Sequence, residues 1–177
     1  MKLVILDRDG VINCDRPDHV KSPEEWIAEP GALEAIARLN RAGWRVVIAT
    51  NQSGIGRGLY DHKTLAVIHD KMLAELAVHG GHIDKIYYCP HHPDDNCHCR
   101  KPKPGMLAQI INDFSLNPDD IYFIGDAYRD IQAARAAGCK AILVATGKGK
   151  QTWHKYADLL KDVKKCANLS AAVDKLL

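Results

Sequence analysis

Continuous apolar runs alternate along this chain with segments of helical periodicity, and that alternation constrains the fold more than any other feature. Residues 2–6, 46–49, 83–88, 121–124 and 141–145 read as short strands. Between them, apolar residues recur at three- and four-residue spacing over 31–42, 61–79, 106–114 and 127–137, which predicts helices; Gly43 and Gly138 stand as stops. A further short helix is expected from Ser170, a residue suited to an N-cap. Strands apolar throughout are buried on both faces, so the pattern predicts an α/β fold with one doubly wound, Rossmann-like parallel sheet between helical layers. No repeat or linker interrupts it, and residues 1–177 are expected to form one domain. Residues 11–30, with Pro17, Pro23 and Pro30, are the one long irregular stretch; that length suits a lid or binding loop.

Composition narrows the class of function. Lys plus Arg number 24 against 22 Asp plus Glu, a balance that disfavours a basic nucleic-acid face. No apolar stretch approaches the ~20 residues of a membrane helix. The start, MKLVIL, is cut short by Asp7, Arg8 and Asp9, so an uncleaved, cytoplasmic protein without membrane partners is expected. Size and fold alone favour a monomer.

In such sheets ligands bind beyond the carboxyl ends of the strands, so chemistry-bearing residues should follow the strands. Asp7 and Asp9 follow the first, Thr50 the second, Cys89 the third and Asp126 the fourth. Asp-Arg-Asp-Gly alone ends many strands without any chemistry. Joined by Gly125-Asp126 it becomes a converging set of hard oxygen donors suited to Mg²⁺. Thr50, Asn51, Gln52 and Ser53 add hydroxyl and amide groups for phosphate oxygens, and Arg100 and Lys101 add positive charge, with Lys103 as a rival.

Cysteine and histidine are concentrated in eleven residues, from Cys89 to Cys99. Three thiolates and one imidazole suit a tetrahedral structural Zn²⁺ site, although the spacing departs from Cys-x₂-Cys. A redox pair and plain reduced cysteines are the alternatives, and His92 and His98 are further imidazoles.

LDRDGVIN, IATNQSG, the later Lys101 and GDAYRD resemble, in order, the four motifs of the haloacid dehalogenase (HAD) superfamily phosphatases. The resemblance covers Asp7 to Asp130 and implies the HAD-like three-layer fold with no large cap domain. It implies Asp7 as nucleophile and Asp9 as general acid and base. Mg²⁺ would be held by Asp7, Asp126 and the Asp9 carbonyl, and Thr50, Arg100 and Lys101 would stabilise the phosphoryl group. Lys101 is preferred to Lys103 because in the family the lysine follows the Cys-x-Cys-Arg unit directly, and Asp130 would support its loop.

Within the superfamily, CPHHPDDNCHCRKPKPGM and TNQSGIGRG resemble the heptose 1,7-bisphosphate 7-phosphatases, which act in making nucleotide-activated heptose for surface polysaccharide. That resemblance implies zinc on Cys89, His91, Cys97 and Cys99, and a sugar phosphate bound by Asp15, Arg16, Pro17, Asp18, Asn51, Gln52, Ser53 and Arg57. The histidinol-phosphate phosphatases share the aspartates and zinc loop but tend to carry an acid at the position of Ser53. Arg57 reads equally well as a solvated loop residue, and Ala127 stands where some relatives have Lys. A catalytically silent, zinc-stapled phosphate-binding module is the alternative of another class, disfavoured by the intact Asp7 and Asp9 pair.

Overall fold

A computed structural model describes all residues, 1–177. Six parallel strands form one sheet in the order β3-β2-β1-β4-β5-β6. They are β1 Lys2–Leu6, β2 Trp44–Asn51, β3 Lys85–Cys89, β4 Ile121–Gly125, β5 Lys140–Val144 and β6 Lys164–Cys166. The helices are α1 Ala32–Arg41, α2 His62–Val78, α3 Gly105–Phe114, α4 Tyr128–Ala137, α5 Gly149–Lys155 and α6 Leu169–Asp174. The α/β expectation holds, with helices on both faces and no large cap domain.

Alternate residues of the strands feed two cores, because successive side chains point to opposite faces. Val4, Leu6, Val46, Ile48, Ile124 and Ile142 pack with α1, α2 and α6 residues such as Ile36, Ile68 and Val173. Leu3, Ile5, Val47, Ala49 and Phe123 pack on the other face with Met106, Ile110 and Ala134 from α3 and α4.

Three expectations need correction. The expected closing helix is present as α6, but it is capped by Asn168, whose side chain accepts from the Ala171 amide, not by Ser170, and α5 and β6 precede it unforeseen. The third strand begins at Lys85, two residues later than expected. Thr50 and Cys89 lie within the last turns of pleat of β2 and β3, rather than beyond them.

Strand order reverses at β1, whose neighbours are β2 on one side and β4 on the other. Here the chain departs to opposite sides and opens a crevice at the carboxyl edge. The 11–30 segment contains one 3₁₀ turn, Pro23–Glu25, and is anchored by buried Val11, Ile12, Val20 and Trp26. Its residues 15–20 run beside that crevice, where several line the cleft described next.

Candidate active site

Parallel pairing of β1 with β4 brings Asp7 and Asp126 to the same edge, since each follows its strand directly. Ligand oxygens of Asp7, Asp126 and Asp130 lie within 4.8 Å of one another, and all three residues are buried. Burial, then the charge of Asp130, pushes the Asp7 carboxyl up to about 7. Burial and the neighbouring Asp7 likewise raise Asp126 well above the usual carboxylate range. Such a crowded, buried set of hard oxygens is short of positive charge, and a Mg²⁺ ion fits that deficit.

Lys101 supplies part of the compensation. Its side chain is fully buried, with Nζ 2.7 Å from Asp130 Oδ1 and 3.1 Å from Asp7 Oδ1, and it donates to the Ala49 carbonyl at 2.9 Å. Burial alone would lower its pKa, but the charges of Asp130 and Asp7 raise it. The other Asp130 oxygen accepts from the Ala127 amide at 3.0 Å, which fixes the turn into α4. Lys103 is elsewhere: its ammonium reaches Asn96 Oδ1 and the Cys97 carbonyl.

Asp9 has the opposite environment. Arg8 and Asn13 donate to Oδ1 at 2.8 and 2.9 Å, and Gln52 donates to Oδ2 at 3.0 Å. Burial opposes ionisation, yet Arg8 and these donors hold the carboxyl below the usual range. Gln52 is oriented by Tyr60, whose hydroxyl donates to Oε1 at 2.6 Å, and its amide also reaches Thr50 Oγ1 at 2.9 Å. Arg8 is itself buried against His69 Nε2 at 3.2 Å; because arginine can only donate, His69 is neutral with its proton on Nδ1. Burial and Arg8 push the His69 pKa down to about 3.

A cleft of about 260 Å³ opens over these groups and contains a single hydrophobic lining residue, Val20. Among the expected site residues, Asp7, Asp9, Asp15, Arg16, Pro17, Asn51, Ser53, Arg57 and Arg100 line it. Thr50 and Gln52 are buried beneath, beside Asp9. Asp18 is not brought in: its exposed carboxylate pairs with Arg16 and Lys21. Sequence reasoning passed over four lining residues, Val20 and the polar His19, Arg129 and Lys148. The strand-end rule applied to β5 would have found Lys148, whose ammonium lies 3.3 Å from Asp15.

The cysteine cluster also assembles. Cys89, His91, Cys97 and Cys99 present ligand atoms within 4.8 Å of one another, and every cysteine is a free thiol. Cys89 Sγ is 3.5 Å from Cys97 Sγ, and His91 Nδ1 is 3.2 Å from Cys99 Sγ. Those separations approach the roughly 3.5–3.8 Å edges of a tetrahedron built on Zn–S and Zn–N bonds, so the donor set fits zinc. The cluster sits at the end of β3, and Asn51 joins its exit to β2 through a reciprocal pair of 3.1 Å bonds with the Lys101 backbone.

Sheet order, switch-point carboxylates and buried lysine define a HAD-like hydrolase. The HAD-hydrolase-like family model matches residues 98–170. A curated Bordetella bronchiseptica D-glycero-beta-D-manno-heptose-1,7-bisphosphate 7-phosphatase is 52% identical over 177 residues, covering 100% of this chain and 98% of the relative. The Pseudomonas aeruginosa enzyme of the same name is 53% identical over 150 residues, 85% of this chain and 84% of that protein. The crystal structure of the B. bronchiseptica phosphatase with magnesium and phosphate superposes with a TM-score of 0.97 at 52% identity, covering 99% of this chain and 98% of that one. The Burkholderia thailandensis phosphatase gives 0.79 at 43%, with 99% and 98% covered. This chain belongs to the D-glycero-beta-D-manno-heptose-1,7-bisphosphate 7-phosphatase family, phosphatases of the HAD superfamily.

Close backbone packing around Asp126 gives a direct test. Gly147 has φ +56°, and a Cβ there would collide with the Asp126 carboxylate and with the Gly10 backbone. Gly43 has φ +80° and open space around it. Each Gly→Ala change incurs about 1–2 kcal/mol for the left-handed backbone. Gly147→Ala is expected to cost about 1–3 kcal/mol more for the collision, read by urea denaturation of the two variants.

Proposed function

We propose that this chain hydrolyses the C7 phosphate of D-glycero-beta-D-manno-heptose 1,7-bisphosphate, releasing inorganic phosphate and the heptose 1-phosphate. The carrying observation is the 52% identity to the B. bronchiseptica enzyme over the whole chain; the cleft with its carboxylates and guanidinium groups supports it. The reaction belongs to assembly of nucleotide-activated heptose for surface polysaccharide. The acting form is a cytoplasmic monomer of one domain; no helix is long and apolar enough to cross a membrane.

In the proposed reaction a carboxylate oxygen of Asp7 attacks phosphorus, and the bond from phosphorus to the C7 oxygen breaks. Asp9 gives its proton to the departing oxygen. It then takes a proton from the water that attacks the aspartyl-phosphate, and cleavage of the new P–O bond restores the Asp7 carboxylate. Lys101, fixed between Asp7 and Asp130, neutralises charge on the transferring group. Thr50 and Arg100 add hydrogen bonds to its oxygens, and Asp15, Arg16, Pro17, Asn51, Ser53 and Arg57 receive the sugar and its second phosphate. Gln52 acts indirectly, by orienting Asp9, and the Asp18 carboxylate contributes to loop structure. Mg²⁺ on Asp7, Asp126 and the Asp9 carbonyl would offset repulsion between phosphate and nucleophile. Zn²⁺ on Cys89, His91, Cys97 and Cys99 would clamp the loop from which Arg100 and Lys101 directly follow.

Comparison of kcat/KM for the α and β heptose 1,7-bisphosphates and histidinol phosphate tests the substrate. The β anomer should lead; preference for histidinol phosphate would overturn the reading, and hydrolysis of no phosphate ester would favour a silent module. Asp7→Asn should lower turnover on the order of 10³-fold or more while remaining folded by circular dichroism.

The cation requirement has a pH signature. Burial and the charge of Asp130 push the Asp7 carboxyl up to about 7 in the folded, cation-free protein, well above the usual carboxylate range, so its contribution to stability is present at low pH and lost as pH rises through about 7. Mg²⁺ binding needs the ionised form. The rise in Tm on adding Mg²⁺ should therefore be larger at about pH 8 than at about pH 5.5, as read by scanning fluorimetry.

For the second metal, elemental analysis should find one zinc per chain. Cys97→Ser should lose it and lower Tm by about 5–10 °C.

A further inference from the structure

Tyr60 directly precedes Asp61, which caps α2 by accepting from the Thr64 amide at 2.8 Å. From that anchored position its side chain is buried against the loop that leaves β2. A Cβ on Gly54 would collide with the ring, so glycine is what lets the two pack this closely. The Tyr60 hydroxyl donates to Gln52 Oε1 at 2.6 Å and makes no other hydrogen bond.

Gln52 is itself buried, and every end of its amide is engaged. Oε1 accepts from Tyr60, while Nε2 donates to Asp9 Oδ2 at 3.0 Å and to Thr50 Oγ1 at 2.9 Å. A terminal amide in such a pocket has two orientations related by half a turn, and they differ in which end faces Asp9.

The choice matters to the Asp9 proton. Oδ1 already receives Arg8 at 2.8 Å and Asn13 at 2.9 Å, two donors for two lone pairs, so a proton on this carboxyl belongs on Oδ2. With Nε2 facing it, Oδ2 meets a donor, and its proton is left for the departing oxygen. With the amide turned over, Oε1 would accept that proton and hold it away from the cleft. A phenol donates more readily than it accepts, and burial pushes the Tyr60 pKa up to about 12, so the hydroxyl keeps its proton and favours the first orientation.

On the reading that Asp9 is the general acid, we propose that Tyr60 is a positioning residue whose hydroxyl locks the Gln52 amide with Nε2 toward Asp9, keeping the Asp9 proton available to the leaving group. That proton passes from Oδ2 to the ester oxygen as the bond from this oxygen to phosphorus breaks.

The test reads kcat/KM, which covers the steps up to departure of the leaving group, for phenyl phosphate and p-nitrophenyl phosphate with Mg²⁺. The two esters are close in shape, but phenolate is the stronger base and needs the proton more. Tyr60→Phe removes only the hydroxyl. It should lower kcat/KM about tenfold or more on phenyl phosphate and much less on p-nitrophenyl phosphate. In a Gln52→Met background the same change should cost less than about twofold, because the amide it acts through is gone. Equal losses on the two esters, or an undiminished loss in that background, would overturn the assignment of Tyr60. A lowered Tm does not blur this outcome, since a smaller folded fraction reduces both rates alike and leaves their ratio unchanged. Asp9→Asn tests the underlying reading, and its loss should also be larger on phenyl phosphate. If Asp9→Asn shows no such difference, or wild type hydrolyses neither ester, the reading of Asp9 falls and the assignment with it. A difference in Asp9→Asn without one in Tyr60→Phe overturns the assignment of Tyr60 alone.

Discussion

A lysine ammonium with no exposure to solvent holds this site together. Lys101 Nζ meets Asp7 after β1, Asp130 in α4 and the Ala49 carbonyl in β2, so three elements share one charge. Removing Lys101 would leave buried carboxylates uncompensated, a loss typically worth about 3–5 kcal/mol. Its neighbours are adapted to it: the Phe123 ring lies 5.2 Å away, and Asn51 clamps the Lys101 backbone from both sides. The ion cluster therefore fixes the spacing between the two halves of the sheet at the point where strand order reverses.

That arrangement links the cysteine cluster to the catalytic edge by only two peptide steps. Cys99 is the last of the four metal-type ligands, and Arg100 and Lys101 follow. Arg100 keeps a buried, unpartnered nitrogen toward the cleft while Lys101 turns inward. A loop with so little regular structure could not hold both directions by backbone hydrogen bonds alone. Lys103 on the Cys97 carbonyl and Asn51 on the Lys101 backbone supply restraints, and a metal held by Cys89, His91, Cys97 and Cys99 would add to them.

Much of this was legible in the sequence because it is local. Asp7, Asp9 and Asp126 are written next to apolar runs, and the strand-end rule converts that adjacency into a shared edge. The cysteine ligands fall within eleven residues. What escaped was tertiary or weakly patterned. β6 is a three-residue edge strand, Lys-Lys-Cys, and α5 reads GKQTWHK with little apolar period. Arg129 looks like a surface residue on a short amphipathic helix; only pairing of β4 with β1 turns it toward Asp7. Asp18 was misread for the complementary reason. It is close in sequence to cleft residues, yet Arg16 and Lys21 draw its carboxylate outward.

The two aspartates of the first motif sit in opposite electrostatic environments. Burial and Asp130 raise Asp7, the proposed nucleophile, while Arg8, Asn13 and Gln52 lower Asp9, the proposed acid. A filled site would oppose both tendencies. A divalent cation between Asp7 and Asp126 removes the repulsion that holds the proton on Asp7. A phosphate dianion beside Asp9 raises that carboxyl, because like charge disfavours ionisation. In the proposed reaction, cation and phosphate together would therefore shift both carboxyls toward the states that the two steps need. Gln52, held by Tyr60 at 2.6 Å, keeps Asp9 in position while its charge changes. Coupling of this kind would tie reactivity to the arrival of both charges.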